Sequence, residues 1–291
     1  MNIFAFLAVT ATCFWMGTPG SDCLSYAATA QVRAPGPQFT GDSIDVIVSA
    51  EAYVVWDLQT GAVIKEKNAD ARRPVASLSK LATVMLIRDL LPLDTVIEIP
   101  VEVKKAQRQG AHIKLVPGEH ALVADLLAAA MIPSANDAAV ALAVAAKGSE
   151  DEFVTYANAE LPKKGFEHTR LANATGLQGG VQYSTAREVK KLFMNAYQDP
   201  AILPFLSQQK GTLVSIEGKK HEYLSTDKLL GTYLPVIAAK TGYTVEAKEN
   251  LTLITQGEKG QRIGVVLLGS DSRFQDMKVL VEWIWRNYSW N

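Results

Sequence analysis

The 291-residue chain predicts an α+β fold, and three observations carry that prediction. β-rich runs lie toward both ends, a long Ala- and Leu-rich helical stretch lies between them, and an amphipathic stretch closes the sequence. The order strands, helices, strands, helix favours an antiparallel sheet built from both ends of the chain around an inserted helical block. A hydrophobic content of 48% suffices for one large domain, or two small ones, with a proper core.

In chain order, residues 3–17 form an apolar run too short for a comfortable membrane span. Small residues follow, and Ala28-Thr29-Ala30 fits a signal-peptidase site, so residues 1–30 are expected to be a signal peptide. No Lys or Arg precedes Arg33, which leaves an uncleaved N-terminal anchor as the alternative and confines any membrane contact to this segment. Residues 31–44, rich in Pro and Gly, read as a linker. The main domain is expected over residues 45–291. AYVVWDLQTGAVIKEK, from Ala52, holds two β-rich runs around Gln59-Thr60-Gly61, a hairpin signal. Pro74 to Leu91 predicts a helix: Pro suits a first turn, and Leu78, Leu81, Val84, Met85 and Leu91 recur at three- and four-residue steps.

Thr95 to Pro100 alternates like a strand, and residues 101–119 are polar with breakers at Gly110 and Pro117-Gly118. Ala121 to Ala146 reads as helix broken at Ile132-Pro133-Ser134. Further helices are expected over Glu150–Lys164 and Ser184–Tyr197, the latter with Ser184 as N-cap. LVSIEGKKHEYL, from Leu213, predicts a hairpin about Gly218. Strands follow over Val236–Thr241, Asn250–Gln256 and Arg262–Leu268, and a helix over Phe274–Tyr288.

Composition excludes several classes of function. With 29 basic and 30 acidic residues, losing Asp22 with the leader leaves formal charge balance, and the basic pairs are scattered, so no nucleic-acid partner is expected. The two cysteines, Cys13 and Cys23, both lie in the leader, so the mature region holds neither a disulfide nor a thiol nucleophile. The four histidines show no metal-ligand spacing, and neither a metal nor a cofactor is expected.

Three motifs carry chemistry. Ser77 and Lys80 are three residues apart, hence on one face of a helix. A hydroxyl needs a neighbouring base to become a nucleophile, and a lysine amine can serve once its pKa is lowered. Ser-x-x-Lys alone is weak: it recurs at Ser207/Lys210 and Ser225/Lys228, where a solvated loop is the better reading. Ser134-Ala135-Asn136 sits at the Pro133 break, where Ser would equally suit a helix N-cap. Lys240-Thr241-Gly242 ends an apolar run. It reads either as a strand entering a turn or as a cation, a hydroxyl and a close-approach glycine suited to an anionic substrate.

In this order, Ser-x-x-Lys, Ser-x-Asn and Lys-Thr-Gly are the motif set of penicillin-binding proteins and class A β-lactamases. From about Tyr53 to Tyr288 the chain resembles the D-alanyl-D-alanine carboxypeptidases, the low-molecular-mass penicillin-binding proteins of peptidase family S11. DLQTGAVIKEKNADARRPVASLSK, Pro117-Gly118-Glu119, IPSANDAAVALA, NATGL (Asn173–Leu177), YSTARE and KTGYT add to the likeness.

The resemblance implies a β-lactamase/transpeptidase-like architecture and a serine D,D-peptidase acting on peptidoglycan stem peptides, with β-lactams as inhibitors. It casts Ser77 as the acylated nucleophile, Lys80 as its base and Ser134 as proton relay to the leaving amine, with Asn136 holding the substrate amide. Lys240 and Thr241, beside Gly242, would receive the terminal carboxylate, with Arg273 nearby. The N–H groups of Ser77 and Tyr243 would form the oxyanion hole. Release of terminal D-Ala is the expected reaction and cleavage of D-Ala cross-links the alternative. A β-lactamase would need a Glu-x-x-Leu-Asn segment; Thr169 to Asn173 offers none, and Glu167 is misplaced for that pattern. Two departures stand out. Ala247 is followed by Lys248 where the family has Gly, and no C-terminal second domain or amphipathic tail is expected.

Overall fold

The computed structural model describes residues 36–41 and 43–290; the signal-peptide reading of residues 1–30 lies outside them. Gln38–Phe39 forms β1, Ala52–Asp57 β2 and Val63–Lys67 β3. A 3₁₀ turn over Ala76–Ser79 leads into α1, Lys80–Leu90. Then come β4 (Val96–Glu98), α2 (Val103–Ala106), β5 (His120–Leu122), α3 (Val123–Met131), α4 (Asn136–Lys147), α5 (Glu150–Lys163) and α6 (Ala186–Gln198). The chain continues through β6 (Lys210–Val214), β7 (Lys220–Leu224), β8 (Val236–Thr244), β9 (Lys248–Gln256) and β10 (Arg262–Ser270). It closes with α7 (Arg273–Asn287) and β11 (Tyr288–Ser289).

The fold is α+β, organised on one five-stranded antiparallel sheet in the order β3-β2-β10-β9-β8. The two-residue period of its strands divides the core into two layers. Val54, Trp56, Ile254, Val266 and Leu268 face the helical block. Tyr53, Val55, Leu251, Leu253, Val265 and Leu267 face α7, through Met277, Leu280, Val281 and Ile284. Gly264 stands opposite Trp56 across β10 and β2, and a Cβ there would collide with the indole.

Several local readings need correction. Pro74 does not open the helix: the Ala76–Ser79 turn intervenes, so Ser77 sits on a tight 3₁₀ turn leading into α1. Ala121 and Leu122 pair with β4 rather than starting α3. Thr185, not Ser184, caps α6, its side chain accepting from the Glu188 N–H; the Ser184 hydroxyl instead meets that of Thr169 at 2.8 Å. Ser134 is no cap either, since Ala135 precedes the first residue of α4. The described part of the 31–44 segment is docked, Gln38 and Phe39 pairing with Ser289 and Tyr288. There the rings of Phe39, Trp283 and Tyr288 pack together.

Candidate active site

The site forms where the Ser77 turn meets β8, which is the outer strand of the sheet. The approach is tight at Gly242. A Cβ added there would lie 2.8 Å from the Val75 carbonyl oxygen and 3.2 Å from the Ser77 nitrogen, so glycine is what lets strand and turn touch. On the opposite side, Ser134 adopts φ 63°, a left-handed conformation uncommon for serine. With it, Ser134 faces β8 while Asn136 begins α4 and faces α1.

Lys80 is fully buried. Its Nζ lies 3.1 Å from Ser77 Oγ, 2.7 Å from Asn136 Oδ1 and 2.6 Å from the Thr175 carbonyl oxygen. The Asn136 amide is oriented because Nδ2 donates to the Gln109 carbonyl at 2.9 Å. Asn136 Oδ1 and the Thr175 carbonyl can only accept. A neutral amine donates to both and still offers a lone pair to the Ser77 hydroxyl proton. Burial lowers the Lys80 pKa well below the lysine range, and the charge of Lys240 lowers it further; Asp137 opposes both.

Lys240, equally buried, donates to Ser134 Oγ at 2.7 Å and to the Thr241 carbonyl at 3.2 Å. Burial and then the Arg273 charge bring its pKa down to about 7, against the pull of Asp227. Arg273, the first residue of α7, donates from Nη1 to the Gly242 carbonyl at 3.0 Å. Tyr243 is exposed at the rim. The structure thus brings Ser77, Lys80, Ser134, Asn136, Lys240, Thr241, Gly242 and Arg273 into one centre. Ser207, Lys210 and Lys228, from the other two Ser-x-x-Lys matches, are solvent-facing or lie outside it.

Several participants escaped the sequence reading. The Thr175 carbonyl belongs to a turn built by Asn173, whose Oδ1 accepts from the N–H groups of Thr175 and Gly176 at 3.1 and 2.8 Å and from Thr175 Oγ1 at 2.8 Å. The NATGL stretch was the available signal. Asp137, wholly buried, accepts from the N–H groups of Ile113 and Leu115 and from Gln107 Nε2, pinning the segment that supplies the Gln109 carbonyl. Lys248, standing where a glycine was expected, has φ 53° and reaches Asp271 at 2.9 Å and Glu51 at 3.2 Å.

A serine on a helix-leading turn, a buried lysine within its reach and a second lysine on an edge strand make a centre equipped for acyl transfer through a serine ester. The chain belongs to the D-alanyl-D-alanine carboxypeptidase family, whose model matches residues 40–272. It is 29% identical to the D-alanyl-D-alanine carboxypeptidase DacF of Bacillus subtilis, over 88% of this chain and 66% of that protein. With the D-alanyl-D-alanine carboxypeptidase DacC of Escherichia coli it shares 30% identity, over 90% and 65%. A D-alanyl-D-alanine endopeptidase of Pseudomonas aeruginosa is 29% identical, over 90% and 85%. The chain therefore spans about two thirds of the length of the two carboxypeptidases.

The fold is similar to the crystal structure of D-alanyl-D-alanine carboxypeptidase from Mycobacterium tuberculosis (TM-score 0.76, 24% identity, 86% of this chain and 96% of that one). It is also similar to the Streptomyces K15 DD-transpeptidase (TM-score 0.75, 24%, 82% and 98%).

Proposed function

We propose that the protein is a serine D,D-carboxypeptidase that removes the terminal D-Ala from peptidoglycan stem peptides ending in D-Ala-D-Ala. The observation that carries the reading is the 3.1 Å contact between Ser77 Oγ and the amine of Lys80, whose burial pushes its pKa well below the lysine range. Lys80 takes the Ser77 proton as Oγ attacks the carbonyl of the penultimate D-Ala. The N–H groups of Ser77 and Tyr243 stabilise the oxyanion. The C–N bond breaks as the Ser134 hydroxyl, bonded to Lys240, gives a proton to the departing amine. Water then hydrolyses the Ser77 ester.

Lys240, Thr241 and Arg273 receive the terminal carboxylate. The free edge of β8 suits a substrate laid along it in extended form. A β-lactam enters by the same attack and remains as a stable adduct. Among the described residues, the partners of the Ser77 hydroxyl are Lys80 and the Thr175 carbonyl, neither of them a carboxylate, and Glu167 is exposed.

The likeness to a D-alanyl-D-alanine endopeptidase, which extends over 85% of that protein, favours cross-link cleavage as the second reading; the two reactions differ only in the group beyond D-Ala. Work outside the cytoplasm, in cell-wall maturation and cell shape, is the setting that suits this substrate and the signal peptide expected over residues 1–30. The test is to incubate the protein with labelled penicillin and with purified monomeric and cross-linked muropeptides, identifying products by mass. A long-lived adduct at Ser77 and loss of one D-Ala from monomers are expected. Labelling that survives Ser77→Ala, or label lost within seconds of removing free drug, would overturn the assignment.

A further inference from the structure

The turn from Ser225 to Leu229, which holds the Ser225/Lys228 match read as a solvated loop, lies on the site. Thr226 Oγ1 meets Thr241 Oγ1 at 2.5 Å, and the Thr226 N–H reaches the Ile132 carbonyl at 3.4 Å. The turn therefore bridges β8 and the loop carrying Ser134. Asp227 at its centre is 8% exposed. Its N–H donates to Ser225 Oγ at 3.1 Å, and its Oδ1 accepts from the Leu229 N–H at 2.7 Å. Among the described residues its Oδ2 is buried with no hydrogen-bond partner, and so is the Nε of Arg273. An unsatisfied buried carboxylate oxygen is costly unless nearby charge compensates it. Here the compensating cations are Lys240 and Arg273, both within electrostatic reach of Asp227.

We propose that Asp227 is a positioning residue of the carboxylate-receiving pocket, acting through Lys240 and Arg273 by keeping them charged until a ligand carboxylate takes over that role. The inference rests on the carboxypeptidase reading, in which those two cations bind the substrate terminus. The groups facing Lys240 are Lys80 from α1, Arg273 from α7 and Asp227 from the turn; Glu249, from β9, and Asp227 both act on Arg273. Asp227 then does two opposed things. It repels an incoming carboxylate, and it keeps the proton on Lys240 to higher pH. An anion that needs charged Lys240 loses affinity as pH rises through the Lys240 pKa.

The experiment measures the affinity of a D-Ala-D-Ala peptide from pH 5 to 9 in a Ser77→Ala background, with and without Asp227→Asn. Asn keeps an acceptor for the Leu229 N–H and removes the charge. Binding by the Asn variant is expected to be tighter on the acid side of the fall-off, where Lys240 is charged in both proteins and Asp227, whose pKa burial raises, is still ionised in the wild type. Its fall-off should move to lower pH by about one unit or more, the usual size of a neighbouring-charge effect. Asp227→Glu should restore the original midpoint, and a peptide with an amidated terminus should not respond to Asp227→Asn. Superimposable profiles, or a uniform loss at every pH, would make Asp227 merely structural and overturn the proposal. Should Asp227→Asn fail to fold, Asp227→Ser reads the same midpoint. If the wild-type protein neither processes D-Ala-D-Ala peptides nor forms a penicillin adduct, the carboxypeptidase reading itself falls; an unmoved midpoint in a protein that does both removes only the role of Asp227.

Discussion

At Lys80 one protein atom has three partners, two of which cannot donate. That geometry admits the neutral amine, which gives its two protons to the two acceptors and turns its lone pair to the Ser77 hydroxyl, as the proposed base must. Lys80→Arg keeps a cation that cannot release its proton. Penicillin acylation by this variant is expected to fall at least about a hundredfold, the low end of what a positioned base contributes. Wild-type acylation should rise with pH through the depressed Lys80 pKa and fall as Lys240 discharges above about 7. Stopped-flow acylation across that range checks both limbs; a wild-type rate in Lys80→Arg would remove Lys80 as the base. Ser77, Lys80, Ser134, Asn136 and Lys240 were legible in the sequence because their chemistry resides in their side chains. The Thr175 carbonyl was not, since a backbone oxygen leaves no mark on residue type. Asp227 was hidden for another reason: its neighbours Ser225 and Lys228 made the stretch look like a solvated loop.

Among the elements, long periodic segments announced themselves and most short ones did not. The β2–β3 and β6–β7 hairpins were marked by Gly61 and Gly218, both at positive φ. β4 lies inside the alternating run Thr95 to Pro100 and was legible, whereas the four residues of α2 and the three-residue strand β5 are too short to show a period and exist through tertiary contact. One such contact governs the site from a distance. His221 on β7 is buried, with Nδ1 donating to the Ile113 carbonyl at 2.9 Å and Nε2 lying 3.0 Å from Glu119 Oε1. Glu119 Oε1 also accepts the Val116 N–H at 2.7 Å.

The β6–β7 hairpin thereby clips the segment whose upstream carbonyls, those of Gln109 and Ala111, hold the Asn136 side chain and N–H. His221→Leu would leave the Glu119 carboxylate buried with its His partner gone. A loss of about 2–4 kcal/mol is expected in chemical denaturation. A slower acylation is expected in the protein that remains folded. An unchanged acylation rate would show that Asn136 is held without the clip.

For the molecule as a whole, the sheet-centred α+β plan followed from the order of elements, while the pairing of β2 with β10 could be expected only in outline. Two buried lysines make this fold sensitive to acid. Each is charged in the unfolded chain up to about pH 10, whereas the folded state depresses both. Where the unfolded chain binds the extra proton, stability rises with pH, by about 1.4 kcal/mol per unit for each group. Above the depressed Lys80 pKa and below about pH 10, Lys80→Met should therefore flatten the dependence of unfolding free energy by about that amount per unit. Equal slopes for the two proteins would contradict a depressed Lys80.

The strand order has a consequence in time. β2 lies between β3, its neighbour in sequence, and β10, which is synthesised some two hundred residues later. Contacts of such separation form late and slowly, because the intervening chain must first be gathered. A growing chain can complete the hairpin of β2 and β3 and begin its helices, but the middle of its sheet stays open. Ser77 and Lys80 emerge long before Lys240 and Arg273, so the nucleophile has no opposing wall until the last strands arrive. The arrangement delays the assembly of a reactive centre until β8, β9, β10 and α7 have been made.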